Sequence, residues 1–201
     1  MDVIFATKNP AKVKKYKEEL EKNGINLLTI NDLDIDIEID ENGKDCLENA
    51  YIKAKTYFDA TGKTSIGMDN SLFIEELPKE KQPGTHVRRV GGKELTDDEM
   101  IEYYSELVKE YGGRLTAKWV YGMVICDKDG TKEFTWNKDE FYFVDKINEK
   151  RNVGYPLDSM SIDKKLNKYF VDLTKEDREI LDKEKKKSDI DVINFLIENL
   201  K

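Results

Sequence analysis

Val3-Ile4-Phe5-Ala6-Thr7-Lys8-Asn9-Pro10-Ala11-Lys12-Val13 decides the fold. Residues 3–6 are a short apolar run that suits a buried strand. Asn9 is a good N-cap residue, and Pro10 fits a first helical position. Val13, Tyr16 and Leu20 then share one helical face, and Asn23-Gly24 supplies the stop. A second apolar run over residues 25–30 completes a strand–helix–strand unit, so the two strands are expected to pair in parallel.

Outward from this unit the signals continue. Residues 34–40 alternate acidic and apolar side chains, which predicts a half-exposed strand, broken at Gly43. Residues 46–60 predict a helix with Leu47, Ala50, Ala54 and Phe58 on one side. Residues 64–68 predict a short strand entering Asp69-Asn70-Ser71. Thr96-Asp97-Asp98-Glu99 is a capping box that opens a helix reaching Tyr111. Residues 115–126 and 133–144 read as two long strands, with Asp129-Gly130 as the hairpin turn. Thr174 and Ser188 are candidate caps for two final helices. The order predicts an α/β fold: a mixed twisted sheet flanked by helices, with residues 1–201 as one domain that has room for two lobes.

Bulk composition narrows the function. Hydrophobic and charged residues each make up 38% of the 201 residues, and the net charge is −8. Such a chain has no global pull toward nucleic acid or an anionic membrane, so neither is an expected partner. No apolar run approaches the ~18 residues of a membrane span. The first residues lack a signal-peptide pattern, so the expected location is cytoplasmic. Cys46 and Cys126 lack metal or redox spacing, and the single histidine, His86, argues against zinc sites and Ser-His-Asp triads. Carboxylates, lysines and a hard cation remain as the chemical tools.

Two sets of residues carry that chemistry. Thr7, Asn9 and Lys12 surround a helix N-terminus, where unpaired N–H groups and the helix dipole favour an anion such as phosphate. Taken alone, the same pattern suits a capped helix with solvated lysines. Asp40, Glu41, Glu48 and Asp69 are oxygen donors of the kind Mg²⁺ accepts, although 42 acidic residues place several near loops by chance.

The order of the motifs separates these readings. Thr7-Lys8-Asn9-Pro10-Ala11-Lys12, then Glu41-Asn42-Gly43 with Glu48-Asn49-Ala50 and Lys53-Ala54, then Met68-Asp69-Asn70-Ser71-Leu72, then Pro83-Gly84 with Arg89, resembles the inosine-triphosphate pyrophosphatase family. That family acts on non-standard purine nucleoside triphosphates, and the resemblance covers roughly the first half of the chain. It implies an elongated two-lobed structure with a central cleft, a homodimer, and Mg²⁺-dependent hydrolysis of a nucleoside triphosphate to the monophosphate and pyrophosphate. It implies that Thr7, Asn9 and Lys12 hold the triphosphate, with Lys53, Asn70 and Arg89 as further substrate contacts. Asp69 would be the general base and, with Asp40 or Glu41, a metal ligand. Tyr155 would stack on the base, and Lys183, Ser188 and Asp189 would lie along it.

The chain departs from the family pattern in three motifs. Met68 replaces the first acid of the Asp-Asp-Ser-Gly-Leu motif, and Asn70 and Ser71 replace its Ser and Gly. Gly154-Tyr155-Pro156-Leu157-Asp158 displaces the acid of Gly-Tyr-Asp-Pro, and Ser188-Asp189-Ile190 replaces Ser-His-Arg. The last change exchanges donors for an acceptor, which predicts either a base with an exocyclic amine or weak base selectivity. Two other readings follow: a catalytically weakened nucleotide-binding relative, and a Maf-like pyrophosphatase of modified nucleotides. Trp119 and Trp136, on predicted strands, are expected to be core or interface aromatics.

Overall fold

The computed structural model describes the chain except residues 34, 36, 153 and 201, and the side chains of 10, 11 and 182–188. The chain divides into two compact units. The first comprises residues 1–70, 120–136 and 186–201; the second comprises 71–119 and 137–185. Among the described residues no helix is long and apolar enough to cross a membrane.

In the first unit the predicted strand–helix–strand motif forms. Strand β1 (Asp2–Phe5) leads to helix α1 (Pro10–Lys22), which returns to β2 (Asn26–Thr29). The strands pair in parallel with Val3 opposite Leu27. Gly24 adopts φ +77°, the left-handed geometry that ends a helix cheaply only at glycine. Helix α2 (Cys46–Thr61) follows, and then β3 (Ser65–Ile74), whose start also pairs in parallel with β1. Sheet order in this unit runs β2-β1-β3-β6-β7, with β6 (Arg114–Asp127) entering at Val120 and β7 (Gly130–Asn137) lying beside it.

Both faces of this sheet are covered, which is why β1 is continuously apolar. Val3 and Phe5 pack with Val13, Tyr16 and Leu20 of α1, with Val192 and Leu196 of α4 (Lys175–Asn199), and with Leu200 just after it. Ile4 and Ala6 face the other way, toward Tyr57 of α2. Ala50 and Ala54 of α2 pack on Val124 and Cys126 of β6, with Leu47 and Phe58 against them, which is the predicted stripe. Two glycines set the depth of α2. A Cβ at Gly67 would lie 1.9 Å from the Ala50 carbonyl oxygen, and one at Gly122 would lie 2.7 Å from the Leu47 Cα.

The second unit has its own core. Leu72 and Ile74 at the end of β3, Leu115 and Ala117 of β6, and Phe141 and Phe143 of β8 (Phe141–Val144) pack with Met100, Tyr104, Leu107 and Val108 of α3 (Asp97–Glu110). Strand β8 pairs antiparallel with β6 and with β9 (Ser161–Asp163). Arg89–Val90 (β4) and Lys93–Glu94 (β5) form a small hairpin across Gly91-Gly92. Helix α3 starts with the predicted capping box: Thr96 Oγ1 accepts from the Glu99 N–H, and Glu99 accepts from the Thr96 N–H at 2.8 Å. Thr96→Ala removes one arm of this box. The expected cost is about 1 kcal/mol, read as a lower denaturant midpoint with an unchanged slope.

Four sequence expectations need correction. The described part of residues 34–40 forms no strand, and residues 34 and 36 lie outside the description. The alternation there reflects one-sided packing, because Ile37 and Ile39 rest on the Ile4–Ala6–Tyr57 cluster without sheet pairing. Strand β3 does not stop at Met68 but runs through Asp69-Asn70 to Ile74. The expected strand over 133–144 is two strands, β7 and β8, separated at the charged Lys138-Asp139-Glu140. The final helices are one helix, α4, capped by Thr174, whose Oγ1 accepts from the Asp177 N–H at 3.2 Å. Ser188 is therefore an interior helix position and not a cap. Trp119 and Trp136 pack against the cores as expected, the latter stacked on Tyr121. Both cysteines are buried and neither is in a disulfide, and burial pushes the Cys126 thiol up to about 11.

Candidate functional site

Strand period and helix period together build the site in the first unit. Along β3, Ile66 and Met68 point into the core shared by α1 and α4. Their neighbours Gly67 and Asp69 point to the opposite face, under α2. Asn49 and Lys53 lie four residues apart on α2, so both overhang that same line. Because Gly67 lets the helix approach so closely, short and long side chains of α2 alike reach Asp69.

The contacts are specific. Asn49 Nδ2 donates to Asp69 Oδ2 at 2.9 Å, while its Oδ1 accepts from the Gly43 N–H at 2.8 Å. Asn49 thereby ties the loop before α2 to the strand. Lys53 Nζ stands 3.2 Å from Asp69 Oδ1 and 2.7 Å from Glu41 Oε2. The side chains of Lys53 and Asp69 are only 11% and 13% exposed, so the charges are poorly screened by water. Charge-assisted bonds of this kind hold Asp69 in a fixed orientation. Lys12 Nζ reaches the Met68 carbonyl at 3.4 Å. Burial, and then the Lys53 charge, push the Lys12 ammonium below the usual lysine range, against the pull of Asp69 and Glu41.

The remaining expected residues are placed as follows. Thr7 Oγ1 accepts from the Asn9 N–H at 3.1 Å, and the Asn9 carbonyl accepts from the Val13 N–H. Thr7 lines a cavity of about 590 Å³ with Lys8, Lys14, Lys17 and Thr29. Asp40 accepts from Asn42 Nδ2 at 2.9 Å. Glu48 accepts from the Lys44 N–H at 2.8 Å, and Asp45 caps α2 through the Leu47 and Glu48 N–H groups. Asn70 follows Asp69 on β3. Asp189 Oδ1 is paired with Lys15 Nζ at 2.5 Å. The side chains of Lys183 and Ser188 lie outside the described residues.

Arg89 and Tyr155 belong to the second unit. Arg89 lies on β4 and borders a cavity of about 710 Å³ together with His86 and Tyr103. Tyr155 is 58% exposed, ahead of a short turn of helix. Nearby, Asn152 Nδ2 donates to Asp158 at 2.9 Å, and burial raises the Asp158 carboxyl above the usual range.

Among the described residues no three His, Cys, Asp or Glu side chains form a metal cluster. The structure brings together a pair, Glu41 and Asp69, bridged by Lys53. Sequence reasoning singled out Asp69, Glu41, Lys12 and Lys53 but missed the part played by Asn49. The four-residue spacing of Asn49 and Lys53 was the available signal.

A rigidly held carboxylate, a buried and a half-buried lysine and a helix N-terminus are equipment for handling phosphate esters. The comparisons agree with that class. The profile of the Ham1 family matches residues 3–186. A protein of Leptospira interrogans named dITP/XTP pyrophosphatase is 30% identical over 195 residues, 96% of each chain. One of the same name from Bacillus subtilis is 29% identical over 88% of each chain. Another from Bacillus licheniformis is 34% identical over 62% of this chain, and the match spans 63% of that relative's length. Among solved structures, the Staphylococcus aureus Ham1 protein superposes with a TM-score of 0.71 at 24% identity, covering 89% of each chain. A HAM1 protein from Coxiella burnetii gives 0.72 at 20% identity, covering 90% of this chain and 91% of that one. The chain belongs to the Ham1 family.

Proposed function

We propose that this chain hydrolyses a purine nucleoside triphosphate at the α-phosphorus, giving the nucleoside monophosphate and pyrophosphate. The single observation that carries the reading is Asp69. It is a nearly buried carboxylate held through both oxygens by Asn49 and Lys53, two residues of the Glu48-Asn49-Ala50 and Lys53 motif. Such a group suits a general base that must orient and deprotonate a water. The names of the Leptospira and Bacillus relatives support the substrate class.

Each residue then has a task. Asp69 accepts the proton of the attacking water. Lys53 and Asn49 keep its oxygens in place. Lys12, with Thr7 and Asn9 at the start of α1, holds phosphate oxygens by charge and hydrogen bonding. The donor set fits Mg²⁺, because Glu41 and Asp69 offer hard oxygens and this ion typically takes one or two carboxylates plus substrate phosphates. Asp40, one residue from Glu41, is a further oxygen donor of the same kind. When bound, the cation would neutralise charge on the departing pyrophosphate.

Lys12 gives a pH prediction. Its lowered ammonium pKa means that the charge is lost at a lower pH than for a free lysine. Affinity for a non-hydrolysable triphosphate should therefore fall as pH rises through that lowered value, earlier than an ordinary lysine would allow. Lys12→Arg, which stays protonated, should remove this alkaline decline. A titration of dissociation constant against pH showing the same decline in both proteins would contradict the assignment. The corresponding stability effect has the opposite sign. The cost of keeping Lys12 charged in the fold is greatest below the lowered value and is relieved as pH rises toward the unfolded one.

We further propose weak base selectivity. Asp189 is committed to Lys15, and Ile190 is 52% exposed and carries no donor. With Asp189 paired to a lysine and an apolar residue at 190, discrimination between bases should stay below about 100-fold in kcat/KM. A panel of ITP, XTP, GTP and ATP checks this, and a larger preference for one base would overturn it. The homodimer expected from the family resemblance is a separate proposal, checked by sedimentation. Met68 favours a second reading, a nucleotide-binding relative with slow turnover. Its side chain is buried in the apolar core where the motif has an acid. Pyrophosphate release in the presence of Mg²⁺ distinguishes the two: tight nucleotide binding with no release would support the binder.

A further inference from the structure

The first unit's site holds two ammonium groups, Lys12 and Lys53, against two carboxylates, Glu41 and Asp69. The Lys53 ammonium contacts both carboxylates, 2.7 Å from one oxygen and 3.2 Å from the other. We infer that the Lys53 ammonium excludes a divalent cation from the space between Glu41 and Asp69 in the nucleotide-free protein, so that the cation binds only together with a polyphosphate. The inference rests on the pyrophosphatase reading and goes beyond it by assigning Lys53 an order-setting role.

Three observations support it. A small hard cation held by these carboxylates would have to approach oxygens that the Lys53 ammonium already contacts, and against its like charge. Asp69 cannot turn to present another edge, because Asn49 holds its second oxygen while also holding the Gly43 N–H. Among the described residues Glu41 and Asp69 do not form part of a three-acid cluster, and the strand position next to Asp69 is a methionine, 4% exposed, buried among Val13, Tyr16 and Ile66. A polyphosphate changes this balance, because its oxygens give Lys53 and Lys12 new partners and release the carboxylates. Cation and nucleotide should then strengthen each other's binding by the same factor.

Calorimetric titration tests this without reference to turnover. Magnesium chloride is titrated into the wild type and into Lys53→Met, and an α,β-methylene purine nucleoside triphosphate is titrated into the wild type with and without Mg²⁺. The wild type alone should bind Mg²⁺ no tighter than about millimolar, and Lys53→Met should bind it at least about tenfold tighter, because the competing charge is gone. Mg²⁺ should raise the affinity for the analogue at least about tenfold. Micromolar binding of Mg²⁺ by the free wild type would overturn the inference and leave the pyrophosphatase reading standing, as would a Lys53→Met affinity no higher than wild type. If circular dichroism shows that Lys53→Met does not fold, the wild-type arms decide alone. Failure of the analogue to bind under either condition would overturn the pyrophosphatase reading, and the inference with it.

Discussion

Asp69→Asn should lower kcat for triphosphate hydrolysis by about 1,000-fold while leaving the protein folded. The amide occupies nearly the same volume, so α2 keeps its seat on β3. It can still bond Asn49, and Lys53 retains Glu41 as a partner at 2.7 Å. What disappears is the basic oxygen that, in the proposed mechanism, takes a proton from water. In the proposed mechanism other groups, chiefly Lys12 and the start of α1, hold the substrate phosphates, so KM should change far less than kcat. Steady-state kinetics of pyrophosphate release on the two proteins provides the comparison. A variant with near wild-type kcat would remove Asp69 from the chemistry and leave it a structural partner of Lys53.

The second large effect concerns stability. Gly67→Ala should destabilise the first unit by about 3 kcal/mol or more, because overpacking here meets backbone and not a movable side chain. The added Cβ would stand 1.9 Å from the Ala50 carbonyl oxygen and 2.8 Å from the Ala54 nitrogen. Relief requires α2 to lift from β3, which also pulls Asn49 and Lys53 away from Asp69. Chemical denaturation should show a markedly lower midpoint, and any soluble protein should have lost activity in parallel. Glycine is needed at this position for space and not for conformational freedom. Wild-type stability in the alanine variant would mean that the helix does not approach the strand as closely as described.

Much of the first unit was legible in the sequence. The apolar run of β1, the cap and proline of α1 and the stop at Gly24 describe a local β-α-β unit whose signals do not depend on distant partners. The stripe on α2 was equally clear, because Leu47, Ala50, Ala54 and Phe58 follow the helical period. Elsewhere the signals were ambiguous for identifiable reasons. The alternation around Ile37 and Ile39 reports one-sided burial, and burial alone does not say whether a neighbouring strand supplies hydrogen bonds. Ser188 read as the cap of a second final helix, because helix continuity there is not marked by an apolar face. For the site, the motifs named the acids and lysines. The bond from Asn49 to Asp69, and the place of Lys53 between two acids, depend on the close approach permitted by Gly67. That approach is a tertiary fact which residue identity alone does not express.

The central claim is water attack at the α-phosphorus, and hydrolysis in ¹⁸O-labelled water with Mg²⁺ tests it most directly. Mass analysis of the products should place the label in the nucleoside monophosphate and leave pyrophosphate unlabelled, with the two formed in equal amounts. Label in pyrophosphate, release of inorganic phosphate from the terminal position, or no turnover of any purine nucleoside triphosphate would contradict it.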